Sequence, residues 1–266
     1  MNAPKNEFKA RLAAGDTLIG CWAALTAPVA MEITAAAGFD WVLIDGEHAP
    51  NDLRTTLAQL QVSAAFPGHS VVRPPHLEPW LIKQYLDIGA QTLLAPMVDT
   101  PEQARALVSA TRYPPEGIRG VGAAFARASA YGARTQYIST ANDEVCILAQ
   151  AETTVALSNL TEIASVPGID GVFIGPSDLA ASMGYPGQPA HPDVQRAILD
   201  GIAVIKACGK AAGILCMDPN LAKTYISAGV QFIAVGSDVS TLAKGLTALG
   251  AQFKNAPLTE PAAAVN

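Results

Sequence analysis

Residues 41–48 read WVLIDGEH, four consecutive apolar residues that run directly into a polar cluster. A run that is apolar on consecutive residues is typical of a parallel strand covered on both faces. Runs of this kind recur along the chain, at 18–25, 41–45, 70–73, 92–98, 145–152, 171–174, 212–217 and 231–235. Helical patterns lie between them, at 28–37, 52–65, 79–88, 101–111, 192–208, 219–228 and 240–253. Eight strands alternating with helices predict an α/β fold, the (β/α)8 TIM barrel.

The composition supports one large folded unit. The chain has 266 residues, of which 50% are hydrophobic and 15% charged, so a large core can form and intrinsic disorder is excluded. We find no internal linker and therefore predict a single barrel domain over 1–254, followed by an Ala/Pro-rich tail at 255–266. A net charge of −6 argues against a nucleic-acid partner or a polybasic membrane contact.

The cysteine pattern predicts a cytoplasmic protein. None of Cys21, Cys146, Cys208 and Cys216 forms a CxxC pair, and most lie in apolar runs, as buried thiols do in a reducing compartment. No run approaches the roughly 18 apolar residues of a membrane span. The longest interruption between predicted strands covers 112–142, and a loop of that length predicts a lid or a binding loop.

Polar residues follow four of the predicted strands. Because chemistry in a barrel of this type sits where the strands end, these residues are the candidates for a site. Glu152 and Asp178 follow neighbouring strands, and two carboxylates without a Cys or His partner suit a hard divalent cation such as Mg²⁺ or Mn²⁺. The same spacing also fits two solvated carboxylates at the rim.

Three further residues can supply proton transfer and charge. Asp45 and His48 are three residues apart, so the carboxylate can hold one imidazole nitrogen and leave the other as a base. Arg73, at a strand end before two prolines, can clamp a carboxylate or an oxyanion. A surface histidine and a rim salt bridge fit these two patterns as well.

Residues 175–178 read GPSD and open a predicted helix. A substrate carboxylate can bind to the backbone N–H groups of this segment, which are those of Gly175, Ser177 and Asp178. The same residues also fit a plain helix cap. No lysine falls on a predicted strand, which argues against an aldolase that works through a Schiff base.

Four longer motifs carry a family resemblance: GFDWVLIDGEHAPN at 38–51, VVRP at 71–74, RYPPEGIRGVG at 112–122 and GVFIGPSDL at 171–179. With them the chain resembles the metal-dependent (class II) pyruvate aldolases, and within these the 4-hydroxy-2-oxoheptanedioate aldolases of aromatic-acid degradation. The resemblance runs from about Phe8 to Phe253.

The resemblance implies a barrel whose last helix is exchanged with a neighbouring subunit, in a hexamer. It implies that Glu152 and Asp178 bind Mg²⁺, Mn²⁺ or Co²⁺, with no organic cofactor. It implies that Arg73 contacts the pyruvate oxygen, that His48 with Asp45 performs acid–base work, and that Gln150 lies beside the metal carboxylate. The residues at 175–178, Gly175, Pro176, Ser177 and Asp178, would orient the pyruvate carboxylate. Asp87 would reach the site of a neighbouring subunit.

The expected reaction is reversible retro-aldol cleavage of a 4-hydroxy-2-oxoacid to pyruvate and an aldehyde of the succinate semialdehyde type. Small Ala151 and the LCM sequence at 215–217 depart from the family pattern near the mouth, which puts the aldehyde preference in question. An aldolase for a sugar-derived 2-oxo-3-deoxy acid, of the glucarate or rhamnonate type, is an alternative. A non-catalytic barrel that binds 2-oxoacids is another.

Overall fold

Eight parallel strands close into a barrel in chain order in the computed structural model, which describes residues 1–254. Each strand pairs with its neighbour in sequence, and β8 pairs with β1. The strands are β1 (Leu18–Ala23), β2 (Trp41–Asp45), β3 (His69–Arg73), β4 (Thr92–Ala95), β5 (Cys146–Ala151), β6 (Gly171–Ile174), β7 (Ala211–Leu215) and β8 (Phe232–Ser237). The predicted TIM barrel is confirmed. We call the end where the strands finish the mouth, and the opposite end the N-terminal face.

Helices connect the strands, and their starts follow from local chemistry. Proline stands in the first turn of six of them, where its missing N–H costs no hydrogen bond. The helices are α1 (Glu7–Ala14), α2 (Pro28–Ala36), α3 (Leu53–Ser63), α4 (Pro79–Asp87), α5 (Pro101–Thr111), α6 (Tyr137–Glu144), α7 (Thr154–Ser158), α8 (Leu160–Ala164), α9 (Pro176–Ser182), α10 (Pro192–Ala207), α11 (Pro219–Ala228) and α12 (Asp238–Lys254).

Large aromatic rings fill the interior of the barrel. Trp41 and Phe232 are fully buried there, with their ring centroids 6.2 Å apart. Two glycines make room for them, because a Cβ on Gly20 would lie 2.2 Å from the Trp41 ring and a Cβ on Gly213 would lie 2.0 Å from the Phe232 ring. Phe8 of α1 packs edge-on against Trp41 and closes the interior at the N-terminal face. The interior is a packed core, so any site must lie at the ends.

The long connection between β4 and β5 lies at the N-terminal face. Helix α5 runs back from the mouth and ends at Thr111, and β5 starts from the same face at Cys146. The intervening residues form two short 3₁₀ turns, Ala123–Phe125 and Arg127–Ser129, and then α6. The predicted lid therefore does not lie over this chain's own mouth, because the helix before it carries the chain to the other end.

Within residues 1–254, nothing covers the apolar face of helix α12. It contains no buried residue, and its exposed apolar side chains are Val239, Leu242, Leu246, Leu249 and Phe253. The predicted tail at 255–266 lies outside the described residues. Within residues 1–254, no helix combines the length and the hydropathy needed to cross a membrane. All four cysteines are free thiols.

Candidate active site

The ends of β2 and β3 bring a carboxylate and a guanidinium together at the mouth. Asp45 and Arg73 are partners in the register of the two strands. The Arg73 Nε donates to Asp45 Oδ1 at 2.9 Å, and its Nη2 donates to Oδ2 at 2.7 Å. Both side chains are almost fully buried. A bidentate pair of this kind fixes the plane of the guanidinium as well as its position.

Asp45 receives donors from three other groups. The indole N–H of Trp22 donates to Oδ2 at 3.2 Å, and the backbone N–H groups of Glu47 and His48 donate to Oδ1 at 3.0 and 3.3 Å. Burial alone would raise the pKa of Asp45, but the hydrogen bonds and charge of Arg73, with the two backbone donors, lower it below its ordinary value. Asp45 is therefore a fixed anion.

The spacing predicted that Asp45 holds the imidazole of His48, but in the structure Asp45 does not contact this ring. Asp45 accepts a hydrogen bond from the backbone N–H of His48, and its two oxygens are already occupied by Arg73, Trp22 and the loop backbone. The carboxylate nearest the ring is Glu47, whose Oε2 lies 3.8 Å from His48 Nε2. The His48 side chain is 66% exposed at the mouth, so the ring is accessible to a ligand.

Glu47 is a site residue that the sequence reasoning missed. Its Oε2 lies 2.9 Å from Arg73 Nη1, yet no group in the described part of the chain donates an aligned hydrogen bond to this buried oxygen. Burial raises the pKa of Glu47, the Arg73 and His48 charges oppose that rise, and Asp45 and Asp178 add to it. The available signal was its place in the GEH sequence between two residues already selected.

The end of β5 supplies a second buried carboxylate. Glu152 is 2% exposed, and it accepts hydrogen bonds from Gln150 Nε2 at 2.5 Å and from the backbone N–H of Met97 at 3.0 Å. Burial raises the pKa of Glu152, the two donors counteract it, and the charges of Asp178 and Glu47 raise it again. A Cβ on Gly175 would lie 2.6 Å from Glu152 Oε2, so only glycine leaves this oxygen room.

Asp178 lies in the first turn of α9, directly after β6, and is exposed. Its charge acts on both Glu47 and Glu152, so the three carboxylates face one region of the mouth. Residues 1–254 contain no group of three or more His, Cys, Asp and Glu side chains placed to hold a metal ion by themselves.

This donor set fits a hard divalent cation. Mg²⁺ is commonly bound through one or two carboxylates, with waters and substrate oxygens completing the shell. A cation would also relieve the mutual repulsion of Glu47, Glu152 and Asp178, which the Arg73 guanidinium opposes through its contact with Glu47. Glu152 and Asp178 remain the predicted ligands.

A cavity of about 420 Å³ opens beside this cluster. Asp45, His48, Trp22 and Ser237 form its polar part, and its apolar wall is Ala24, Ala49, Pro50, Leu215, Met217 and Val239. Of the two departures from the family pattern, the 215–217 segment does line the mouth. Ala151 is fully buried and does not contribute to this wall.

Asp87 is the predicted site residue that the fold keeps away from the mouth. It ends α4, at the N-terminal face, and its Oδ1 accepts from Arg119 Nη2 at 2.7 Å. Arg119 is fully buried, with its guanidinium 4.4 Å from the ring centroid of Tyr113. Within one chain, Asp87 cannot contact a ligand at the mouth.

Comparisons with known proteins agree on one family. The profile of the HpcH/HpaI aldolase/citrate lyase family matches residues 18–245. The chain is 57% identical to a hydroxypyruvate/pyruvate aldolase of Cupriavidus necator, over 97% of this chain and 96% of that protein. It is 55% identical to a 4-hydroxy-2-oxo-heptane-1,7-dioate aldolase of Salmonella typhimurium, over 94% and 95%.

Solved structures give the same result. A HpcH/HpaI aldolase/citrate lyase family protein from Burkholderia cenocepacia superimposes with a TM-score of 0.91 at 41% identity, covering 94% of this chain and all of that one. A citrate lyase beta subunit from Mycobacterium tuberculosis, solved with oxaloacetate and magnesium, shares the fold at 18% identity and a TM-score of 0.57.

Proposed function

The chain belongs to the HpcH/HpaI aldolase/citrate lyase family, and on that basis we propose that it cleaves 4-hydroxy-2-oxoacids to pyruvate and an aldehyde in a reversible retro-aldol reaction. It is a carbon–carbon lyase. The observation that carries the proposal is the Arg73 guanidinium, which Asp45 fixes on one side and Glu47 contacts on the other. A fixed cation at the mouth can stabilise an oxyanion that forms during the reaction.

Divalent metal is typical of the family, and in the proposal Glu152 and Asp178 hold Mg²⁺ or Mn²⁺. When bound, the metal would act as a Lewis acid on the 2-oxo group. Gln150 holds Glu152 in place through the bond to Oε2. Gly175 keeps the space beside that oxygen open for a ligand.

The protein's own residues divide the remaining work. His48 removes the proton of the C4 hydroxyl, directly or through a water, as the C4–O bond becomes the aldehyde carbonyl. The electron pair of the broken C3–C4 bond passes to C3 and gives the enolate of pyruvate. Arg73 stabilises the enolate oxygen, and a proton returned to C3 releases pyruvate. The backbone N–H groups of Ser177 and Asp178 orient the carboxylate, because the N–H of Gly175 already donates to the Ala151 carbonyl at 3.2 Å.

One observation favours a second substrate class. Relatives at 54–59% identity are named as hydroxypyruvate/pyruvate aldolases, as well as heptanedioate aldolases. Among residues 1–254, the wall of the mouth cavity contains no Lys or Arg, so these residues offer no fixed cation there to the distal carboxylate of a heptanedioate. Short or uncharged aldehydes, with pyruvate or hydroxypyruvate as the donor, therefore fit this wall better.

Condensation of each donor with a panel of aldehydes tests this directly. The panel contains succinate semialdehyde, acetaldehyde and glyceraldehyde, and the measurement is kcat/KM with Mg²⁺ or Mn²⁺ after treatment with a chelator. We expect turnover only with added metal, and higher kcat/KM for the aldehydes without a carboxylate. Absence of turnover with every donor, aldehyde and metal would show that the mouth is not an aldolase site.

The assembly is a separate part of the proposal. The exposed apolar face of α12 supports a homo-oligomer, for which we propose a hexamer in which Asp87 serves the mouth of a neighbouring copy. Light scattering on the purified chain measures the subunit number. The cytoplasmic location stays a prediction from the cysteine pattern.

A further inference from the structure

The N-terminal face contains a cavity that the proposed reaction does not use. It has a volume of about 490 Å³ and lies under the long β4–β5 connection, between that connection and the start of β3. Its volume falls in the range of small-molecule sites. The residues that line it include Arg127, Arg134, Tyr131, His69 and Gln91.

Two guanidiniums share this cavity without a carboxylate. In the part of the chain that the structure describes, neither Arg127 nor Arg134 forms an ion pair, whereas Arg11, Arg73 and Arg119 do. Burial lowers the pKa of Arg127, and the charge of Arg134 lowers it further against an opposing effect of Tyr131. The two like charges therefore give this cavity an excess of positive electrostatic potential.

Backbone carbonyls hold both arginines in position. Arg127 donates from Nη1 to the Ile88 carbonyl at 3.0 Å and from Nη2 to the Leu60 carbonyl at 3.2 Å. Arg134 donates from Nη1 to the Ala128 carbonyl at 3.0 Å. These acceptors are neutral, so they fix the side chains and leave the charges uncompensated.

The turn between the two arginines is also fixed. Ala130 and Tyr131 both have positive φ, 54° and 56°, in the left-handed region that residues other than glycine rarely adopt. Buried Ser129 holds this turn, because its Oγ donates to the Ala126 carbonyl at 3.0 Å and accepts from the Gly132 N–H at 2.9 Å. Backbone in such a conformation persists where its surroundings impose it, and it occurs often at ligand sites.

We propose that this cavity binds a phosphate dianion, either free or carried by a small phosphomonoester. Two guanidiniums match the charge of the dianion, and each still has N–H donors for its oxygens. The cavity has more volume than inorganic phosphate needs, which leaves room for an organic group beside Tyr131 and Gln91. The predicted binding loop at 112–142 thus has a binding role at the end of the barrel opposite the mouth.

Calorimetric titration of the full chain with inorganic phosphate, and separately with glycerol 1-phosphate, tests the proposal. We expect one site per chain. Glycerol 1-phosphate should bind more tightly than inorganic phosphate, because its organic group occupies the remaining volume of the cavity. Arg134→Gln removes one guanidinium that donates a single resolved bond, and should weaken binding at least tenfold. Arg196→Gln, on the exposed face of α10, is the matched control and should bind as the parent does.

Two further variants keep the test decisive. Arg127→Gln removes two bonds to the backbone and can unfold the loop, so Arg134→Gln carries the result and circular dichroism confirms its fold. Arg73→Gln reports binding at the mouth; with its fold also confirmed by circular dichroism, it should leave the phosphate affinity unchanged. The proposal is overturned if the parent binds neither ligand, if Arg134→Gln binds as tightly as the parent, or if Arg73→Gln alone abolishes binding.

Discussion

The two ends of the barrel carry opposite charge. At the mouth, the carboxylates of Asp45, Glu47, Glu152 and Asp178 face one guanidinium, that of Arg73. At the N-terminal face, Arg127 and Arg134 line a cavity without an ion-pair partner in residues 1–254. The difference agrees in sign with the two ligands that we propose, a divalent cation at the mouth and a phosphate dianion at the N-terminal face.

The parallel barrel itself produces this separation. Every strand finishes at the mouth, so residues that follow β2, β5 and β6 collect there whatever their distance in sequence. The β4–β5 connection starts after α5 and stays at the opposite end. Within one chain, substitutions at the two ends therefore act on separate regions, and the following predictions run from the largest expected effect to the smallest.

Glu152→Gln should have the largest effect, because it removes a charged ligand while nearly keeping the shape. A Lewis acid contributes several kcal/mol to transition-state stabilisation, so its loss corresponds to a decrease in kcat/KM of roughly 10³–10⁵-fold. Metal affinity, measured by calorimetry with Mn²⁺, should fall in parallel, and excess metal should restore part of the rate.

Glu162→Gln is the matched control for this variant, since it removes an exposed carboxylate from α8. It should bind metal and turn over as the parent does. If Glu152→Gln also retained the parent's metal affinity and rate, the cation would not be held by this carboxylate, and the acidic mouth would need another explanation.

His48→Ala and Arg73→Ala should separate two roles at the mouth. Loss of CO₂ from oxaloacetate gives the same enolate as aldol cleavage but has no C4 hydroxyl to deprotonate. His48→Ala should therefore lose roughly 10²–10⁴-fold in aldol cleavage and keep most of its decarboxylation. Arg73→Ala should lose roughly 10²–10³-fold in both reactions, because it removes the group that stabilises the enolate oxygen.

The measurement is kcat/KM of each variant on both substrates at saturating metal. Arg73→Ala also leaves Asp45 buried without its partner, which costs about 3–5 kcal/mol of stability, so the assays are made well below its melting temperature. Equal loss of both reactions in His48→Ala would refute the role of His48 as the base for the hydroxyl.

The eight strands could be predicted because each is apolar on consecutive residues, and the structure confirms all of them. The residues at which the strands end could not be predicted, because an apolar run continues past the strand into the mouth. The predicted strand at 92–98 stops at Ala95, and Met97 turns away with a φ of 53°. The predicted strand at 212–217 becomes β7 at Ala211–Leu215, while Met217 joins the wall of the mouth cavity. Pattern alone does not distinguish a strand residue from an apolar wall.

Side-chain partners were less predictable than positions. Strand-end placement was enough to select Asp45, Arg73 and Glu152. The spacing of three residues suggested that Asp45 holds the His48 ring, but Arg73 and Trp22 occupy the carboxylate instead. That outcome depends on the register of β2 against β3 and on a ring from β1, which no local motif contains. The same reason explains why Glu47 was missed.

At the N-terminal face, half-buried His69 should make stability depend on pH. Burial lowers the pKa of His69 to about 4, from an ordinary value of 6.5. As the pH falls from 6.5 to about 4, the unfolded chain takes up a proton that the folded chain does not, so stability falls in this window by up to roughly 3 kcal/mol.

His69→Gln should remove that part of the pH dependence and can keep a hydrogen bond to Thr92 Oγ1. Urea unfolding at several pH values measures it, with His76→Gln as the control because His76 is exposed. If parent and His69→Gln lose the same free energy between these pH values, the imidazole is not kept neutral by the fold.

Trp22→Phe should have the smallest effect, because it removes one of several groups that fix the Asp45–Arg73 pair. The indole N–H gives Asp45 a hydrogen bond of 3.2 Å, whereas the ring itself lies 5.1 Å from the Arg73 guanidinium carbon. Phenylalanine keeps an aromatic face and loses only the donor, so we expect a cost of about 1 kcal/mol, or roughly fivefold in kcat/KM. Trp22→Leu removes the aromatic face as well and should cost about 0.5–1 kcal/mol more. Steady-state kinetics and melting curves of both variants measure the loss of the donor and the loss of the aromatic face separately. A loss in Trp22→Phe as large as that in Arg73→Ala would mean that the Arg73 guanidinium is held in place by the indole N–H through Asp45, and not by the bidentate pair.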